Sequence, residues 1–420
     1  MQGFTFLLPR ALVYDADDER SYVSPRKGGV VMNKIASSII EAGWLEALSR
    51  LEFGTLDFVA PNGEVHTAKG RHPGPHARFA IHDWNVLSRI MARGDIALGE
   101  EYIAGAWETD DIEKLVTLFL MNMDALDKYA NGNLLTRLAL MIQDRFVRRN
   151  SLGGSKRNIE AHYDVGNDFY ALWLDKSMTY SSGLFGDAAK DLEEAQTNKY
   201  ERILGKFLKP CSSVLEIGCG WGGFAERAVA HGHRLTGLTI SPSQYRFACE
   251  RLKGAADILL EDYRKARGLF DMIVSIEMFE AVGEQYWPQY FRTVAERLKR
   301  GGRAVIQTIT VRDELFASYR LRSDFIRHYV FPGGMLPSVQ RFREEAERAG
   351  LKMVDAFSFG KDYAKTLREW SSRMRARSQE IMALGHDERF MRNWQYYLGI
   401  CAAAFSAERT DVVQVELVNA

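Results

Sequence analysis

The segment VLEIGCGWGGFAERAVA constrains this chain more than any other. An apolar strand, Val214 to Ile217, runs straight into a turn holding Gly218, Gly220, Gly222 and Gly223, and a helix follows. Glycine tolerates positive φ without a Cβ clash, so such a turn lets a ligand approach the backbone beside the free amides of a helix start. A glycine-rich stretch gains weight when it follows a strand and opens a helix, as this one does. A dinucleotide site would need GxGxxG spacing and an acidic residue ~20 positions onward for the ribose. Here the spacing is GxGxG, and no carboxylate lies between Glu226 and Glu250. With Glu216 ahead of the glycines, the turn points to S-adenosylmethionine rather than NAD.

From about Ile159 onward, short apolar runs alternate with helical stretches: SVLEIG, HRLTGLTI, ADILLED, FDMIVSIE and GGRAVIQTIT. That alternation implies a mainly parallel sheet covered on both faces, an α/β domain. The last hundred residues read as further helices that complete and cap it. The earlier half differs. MNKIASSIIEAGWLEALSRL and WNVLSRIMARGD have helical periodicity, GTLDFVAPNGEVHTAKG alternates like strands around a turn, and together they suggest a small α+β domain. LLTRLALMIQDRFVRRN, an amphipathic helix, and SLGGSKRN separate the two. The expected division is a leader over 1–31, an N-terminal domain over 32–123, a helical linker over 124–158 and the α/β domain over 159–420. A chain of 420 residues is also longer than one hydrophobic core usually supports.

Lys plus Arg total 55 and Asp plus Glu total 55, so no global field draws the chain to nucleic acid. Cys211, Cys219, Cys249 and Cys401 are widely separated, which argues against a zinc site or a disulfide scaffold and fits a reducing cytoplasm. No metal is expected. The opening MQGFTFLLPR is too short an apolar stretch for a secretory signal. No apolar run approaches the ~20 residues that cross a bilayer, so contact with lipid would be made from outside it.

Specific blocks surround the glycine turn. EAHYDVGNDFYALWLDKSMTYSSGLF precedes it, and LTISPSQ, LEDYR, SIEMFEAVG, FIRHYVFPGGMLPS and FGKDYAKTL follow in order. Together they closely resemble the cyclopropane fatty acid synthases and the related mycolic acid methyltransferases. GEEYIAGAWETDDI resembles the amino-terminal lipid-associated domain of the bacterial synthases. The resemblance implies a Rossmann-like class I methyltransferase domain behind a smaller lipid-associated α+β domain. It implies transfer of a methyl group, or a methylene after proton loss, from S-adenosylmethionine to a double bond of an unsaturated phospholipid acyl chain. The product would be a cyclopropane or a methyl-branched chain. Alternatives are a methylated, unclosed furan fatty acid precursor, another hydrophobic acceptor, or a silent lipid-binding relative. By the same resemblance Gly218, Gly220 and Gly222 line the cofactor, Tyr163, Tyr180 and Ser181 lie near its methionine end, Thr239 and Gln244 meet the ribose, and Asp262 accepts from the adenine amino group.

The family's chemistry starts with the alkene attacking the sulfonium methyl, which needs no base. It needs a dry apolar channel and groups that stabilise the developing cation. Phe279, Phe331 and Tyr363 are candidates, because ring faces attract cations. A proton must then leave, and its origin decides between ring and branch. In typical synthases bicarbonate is the base, and the positions matching its ligands are Ser182, Glu280, Gln307, Ile309 and Tyr363. Ser182 stands where the family usually has Cys, Gln307 where it has His, and Ala281 replaces a further His. Glutamine hydrogen-bonds but carries no charge and shuttles no proton near neutral pH. The expected location is cytoplasmic, peripheral to the inner face of the membrane, where Arg145, Arg148, Arg149, Lys156 and Arg157 form a local basic cluster for anionic lipid. Similar bacterial synthases dimerise, so a homodimer is expected.

Overall fold

A computed structural model describes residues 34–123, 126, 165–186, 189–321, 324–331 and 333–419. The N-terminal part runs α1 (Lys34–Ser49), β1 (Phe53–Val59), β2 (Val65–Lys69), β3 (His72–Ile81), α2 (Asn85–Arg93), α3 (Asp95–Ile103), β4 (Trp107–Glu108) and α4 (Ile112–Met121). Its sheet has the order β2-β1-β3-β4. β1 alternates as its sequence suggests, turning Leu56 and Phe58 inward. β3 was not legible, because Pro73 and Pro75 discourage a strand. The prolines lie in its exposed first half, where the pairing with β1 slips between Phe53 and Thr55, so the ladder loses little to their missing N–H groups.

The larger sheet is built from β5 (Ser213–Ile217), β6 (Arg234–Thr239), β7 (Asp257–Leu260), β8 (Phe270–Ile276), β9 (Leu298–Val311), β10 (Leu351–Ser358) and β11 (Thr410–Asn419), in the order β10-β11-β9-β8-β5-β6-β7. The five apolar runs read from the sequence are its parallel strands, β5 to β9. β10 and β11 pair antiparallel at the other edge, where only helices were expected. β11 reads TDVVQVELVN and is buried on both faces, so it lacks the period-two pattern by which a half-buried strand announces itself. The helices that matter below are α5 (Leu192–Leu204), α6 (Gly223–Ala230), α7 (Pro242–Leu252), α8 (Trp287–Arg297), α9 (Val339–Arg348), α10 (Gly360–Ala376) and α11 (Glu388–Ser406).

β5 has β6 on one side and β8 on the other, so the winding reverses there. In open α/β sheets the crevice at the carboxyl ends of the strands beside such a reversal is where ligands bind. The glycine turn leaves β5 at that point.

The N-terminal part docks on α11. Arg392 donates from Nε to the Tyr102 carbonyl at 2.7 Å and from Nη2 to that of Trp107 at 3.2 Å, and the Tyr102 and Tyr396 rings stack at 5.7 Å. A Cβ on Gly399 would sit 2.7 Å from Ile112 Cγ2, so glycine permits the close approach of α11 and α4. Arg368 on α10 grips both oxygens of Glu113, at 2.8 and 2.6 Å. Among the described residues, no helix is long and apolar enough to cross a membrane.

Candidate active site

Gly218, Gly220 and Gly222 adopt φ of 82°, 54° and 83°, the left-handed region that strains any other residue. The Gly218 and Cys219 amides both donate to the Leu238 carbonyl, at 3.0 and 2.8 Å, curling the turn over the end of β6. A Cβ on Gly218 would press on Met278 Cγ at 2.8 Å, whereas one on Gly220 would meet nothing within 4 Å. The turn is thus packed on one side and open on the other, and Gly222 caps α6 so that the amides of its first turn are free for a ligand. Just before the turn, Glu216 is buried with Oε2 lacking a hydrogen-bond partner, and burial pushes its carboxyl up to about 8.

Thr239 and Gln244 meet at the end of β6, the Thr239 hydroxyl donating to Gln244 Oε1 at 2.9 Å. The Glu261 amide donates to the Thr239 carbonyl at 3.0 Å, bringing the end of β7 alongside. There Asp262 caps the turn Tyr263–Lys265 and receives the Arg264 guanidinium at 2.9 and 2.7 Å, which holds its carboxyl below the ordinary value. An open glycine turn with hydroxyl, amide and carboxylate groups on the next two strand ends fits an adenosyl group with a charged tail. Tyr163 lies outside the described residues, as do Arg145, Arg148, Arg149, Lys156 and Arg157.

Beyond the turn, Glu277 directly follows β8, and β9 passes beside it. Glu277 has φ of 51°, and its amide donates to the Gln307 carbonyl at 2.8 Å. Its Oε1 accepts from the Ser182 amide at 2.9 Å and from Gln307 Nε2 at 2.8 Å, while Oε2 accepts from the Tyr363 hydroxyl at 2.5 Å. Three of the five positions matched to bicarbonate ligands therefore converge on a carboxylate that sequence reasoning passed over. Ser182 contributes its backbone amide, since its hydroxyl turns away to the Gly183 carbonyl at 2.9 Å. Glu280 takes the remaining group: its Oε1 accepts from the Ile309 amide at 2.5 Å and from the Thr308 hydroxyl at 3.0 Å, and Oε2 is buried without a partner. Burial first, and the like charge of Glu277 second, push the Glu280 carboxyl up to about 8.

The surroundings hold this centre in place. Gln307 Oε1 accepts from Gln414 Nε2 at 3.0 Å, which aims the Gln307 amide N–H at Glu277. Gln414 faces Gln307 across the β9–β11 pair. Segment 181–186 is clamped by α10, where Thr366 accepts from the Gly183 amide at 3.0 Å and Asp362 from those of Phe185 and Gly186 at 2.8 and 3.1 Å. From α5, Gln196 donates to the Ser181 carbonyl at 2.9 Å and Lys199 to the Ser181 hydroxyl at 2.6 Å. Lys199 is fully buried, and burial lowers its ammonium to about 7 against the pull of Glu277, Asp175 and Glu216. Glu277 and Lys199 left one faint trace in the sequence: each is a charge set among residues that pattern as interior, at the end of VSIE and within AQTNKYERIL.

An aromatic wall joins the glycine turn to the carboxylate. Trp221, in the turn, lies 5.1 Å from Tyr170, which lies 5.6 Å from Tyr180. Tyr180 lies 5.2 Å from Trp370, and Trp370 meets Tyr363 edge-on at 6.2 Å. Tyr363, Leu367, Trp370 and Met374 recur at helical spacing, which is why one face of α10 carries both the wall and the Tyr363 hydroxyl. The Tyr180 hydroxyl donates to that of Tyr397 at 3.1 Å, and Tyr397 meets Phe331 edge-on at 6.0 Å. Phe279 is elsewhere. It stacks on Trp287 at 5.4 Å and packs against Tyr290, Phe291 and Phe342 beneath α8 and α9, so it is a core residue and not part of the wall.

A glycine turn at the winding reversal of this sheet defines a class I, Rossmann-like S-adenosylmethionine-dependent methyltransferase. Residues 151–415 match the family described as mycolic acid cyclopropane synthetase, and the chain belongs to that cyclopropane synthase family, whose methyl transfer is to unsaturated lipid chains. It is 36% identical to the tuberculostearic acid methyltransferase UfaA1 of Mycobacterium tuberculosis, over 84% of this chain and 86% of the relative. It is 37% identical to the cyclopropane-fatty-acyl-phospholipid synthase of Escherichia coli K12, over 81% and 87%. Among solved structures, the mycolic acid cyclopropane synthase CmaA1 complexed with SAH and CTAB superposes with a TM-score of 0.58 at 32% identity, over 62% of this chain and 97% of that one.

Proposed function

We propose that this enzyme methylates a carbon–carbon double bond within an unsaturated acyl chain carried by a phospholipid. The observation that supports the reading is the pairing of one buried polar centre with a continuous wall of rings, from Trp221 to Tyr363. An apolar chain with a single proton to lose needs those two things and little else. Bound S-adenosylmethionine supplies a methyl group made electrophilic by positively charged sulfur. The glycine turn, Thr239 and Gln244 at the end of β6 and Asp262 at the end of β7 would hold the adenosyl part. The faces of Tyr180, Trp370 and Tyr363 exclude water and stabilise positive charge developing on the acyl chain. Hydrogen-bonded carboxylate at the far end of the wall is placed to receive the departing proton.

Similarity to the tuberculostearic acid methyltransferase supports a methyl-branched product, and similarity to the Escherichia coli synthase supports a ring on a phospholipid. We further propose that the chain works as a homodimer at the inner face of the membrane, with the basic cluster between Arg145 and Arg157 drawing it to anionic lipid. Incubation with methyl-labelled cofactor and unsaturated phospholipid vesicles will move label into the acyl fraction, and mass spectrometry with double-bond localisation will distinguish branch from ring. Label found only in an ether or an ester would refute carbon methylation.

A further inference from the structure

The bicarbonate of typical synthases does not fit this centre. The groups that would hold it are already engaged: Ser182, Gln307 and Tyr363 donate to Glu277, and Ile309 donates to Glu280. A bicarbonate ion would arrive as a further negative charge beside the Glu277 carboxylate, with those four hydrogen-bond donors spent. We infer that Glu277 is the base of the reaction, its side-chain carboxylate standing in place of the exogenous anion, so that the enzyme needs no bicarbonate. The inference rests on the alkene-methylation reading above.

Three observations favour it. The donor set around Glu277 is one suited to a carboxylate: a backbone amide, a side-chain amide and a phenol, two on Oε1 and one on Oε2, which leaves Oε2 a free lone pair. The backbone at Glu277, φ 51°, is one that side chains other than glycine rarely adopt, and strained conformations of this kind cluster at functional sites. Burial also raises the carboxyl above the ordinary range, strengthening it as a proton acceptor, while Lys199 keeps it ionisable.

The step balances without a co-reactant. The alkene π pair forms the new bond to the methyl carbon, the methyl–sulfur pair stays on sulfur, and positive charge is left on the adjacent chain carbon. Glu277 Oε2 then takes a proton from the added methyl or from a neighbouring chain carbon, and the released C–H pair closes the ring or forms an alkene. The proton passes to water before the next turnover.

The test uses the full chain with methyl-labelled cofactor and dioleoylphosphatidylglycerol vesicles in buffer stripped of carbon dioxide. Wild-type turnover should be unchanged when bicarbonate is added. Glu277→Gln should lose about 100-fold or more of turnover, the scale of a missing general base, and bicarbonate should not restore it. Glu277→Gly vacates the carboxylate position, so its activity should be lost in stripped buffer and return with bicarbonate. Titration of carbon-13 bicarbonate followed by NMR should show binding to Glu277→Gly and none to wild type, and calorimetry with S-adenosylmethionine checks that both variants keep their cofactor site. A wild-type rate that rises with bicarbonate, or a Glu277→Gln enzyme at full rate, would overturn the inference. The wild-type measurements decide even where a variant fails to fold. Label transfer that requires bicarbonate defeats this inference alone, whereas no label in acyl chains under either condition defeats the proposed function as well.

Discussion

Tyr363 and Glu277, 86 residues apart in the chain, meet at 2.5 Å, the phenol donating to the carboxylate. Their hydrogen bond ties the end of β8 to the first turn of α10, and with it the polar centre to the aromatic wall.

Removing that donor gives the first prediction. The Tyr363 hydrogen bond lowers the Glu277 carboxyl against the upward push of burial, so Tyr363→Phe should raise it further. The acidic limb of the pH–rate profile should move to higher pH, with cofactor affinity unchanged. A hydrogen bond to a charged group is worth about 1.5–3 kcal/mol, so turnover should fall by about 10- to 100-fold. A profile that stays in place would remove Tyr363 from contact with the base.

Lys199 is the buried cation among Glu277, Asp175 and Glu216. Lys199→Met leaves Glu277 and Asp175 without their buried counter-charge, and breaking a buried charge pair on one side costs about 3–5 kcal/mol. Chemical denaturation at a pH below 7, where the lysine is charged, should show an unfolding free energy lowered by that order. A stability equal to wild type would mean that the Glu277 carboxyl, like that of Glu216, is already neutral.

Glu280 and Glu216 are both pushed up to about 8 from an ordinary 4.5. Between those values the native protein holds protons that the unfolded chain has released, so folding stability from these groups falls as pH rises from 4.5 to 8. Glu280→Gln can still accept from Ile309 and Thr308 but no longer titrates. Its unfolding free energy should therefore decline less steeply over this window, by an amount on the order of a few kcal/mol. Superimposable pH–stability curves would contradict the raised carboxyl.

Gly399 sets the distance between α11 and α4. A methyl group there would begin 2.7 Å from Ile112 Cγ2, so Gly399→Ala must push the helices apart. Overpacking of this kind costs about 1–3 kcal/mol, and thermal unfolding should record the loss. Because Tyr397 on α11 is hydrogen-bonded to Tyr180 in the wall, the same substitution should raise KM for the lipid. An unchanged melting temperature would show that the N-terminal part is free to move away.

The sequence by itself determined the glycine turn, the parallel strands from β5 to β9 and the family, because these are local: a strand, a turn requiring positive φ and a helix start all lie within a few consecutive residues. It also named Gln307, Ile309 and Tyr363. It could not reach β11, whose uniform burial erases periodicity, or Phe279, whose ring faces the core beneath α8 and α9. Above all, of the two glutamates of SIEMFEAVG it named Glu280 and passed over Glu277. They are three residues apart in a turn, and which of them faces Ser182, Gln307 and Tyr363 is decided by a backbone angle of 51° at Glu277. That angle is stabilised by donors arriving from three distant parts of the chain, and such convergence is a property of the folded protein alone.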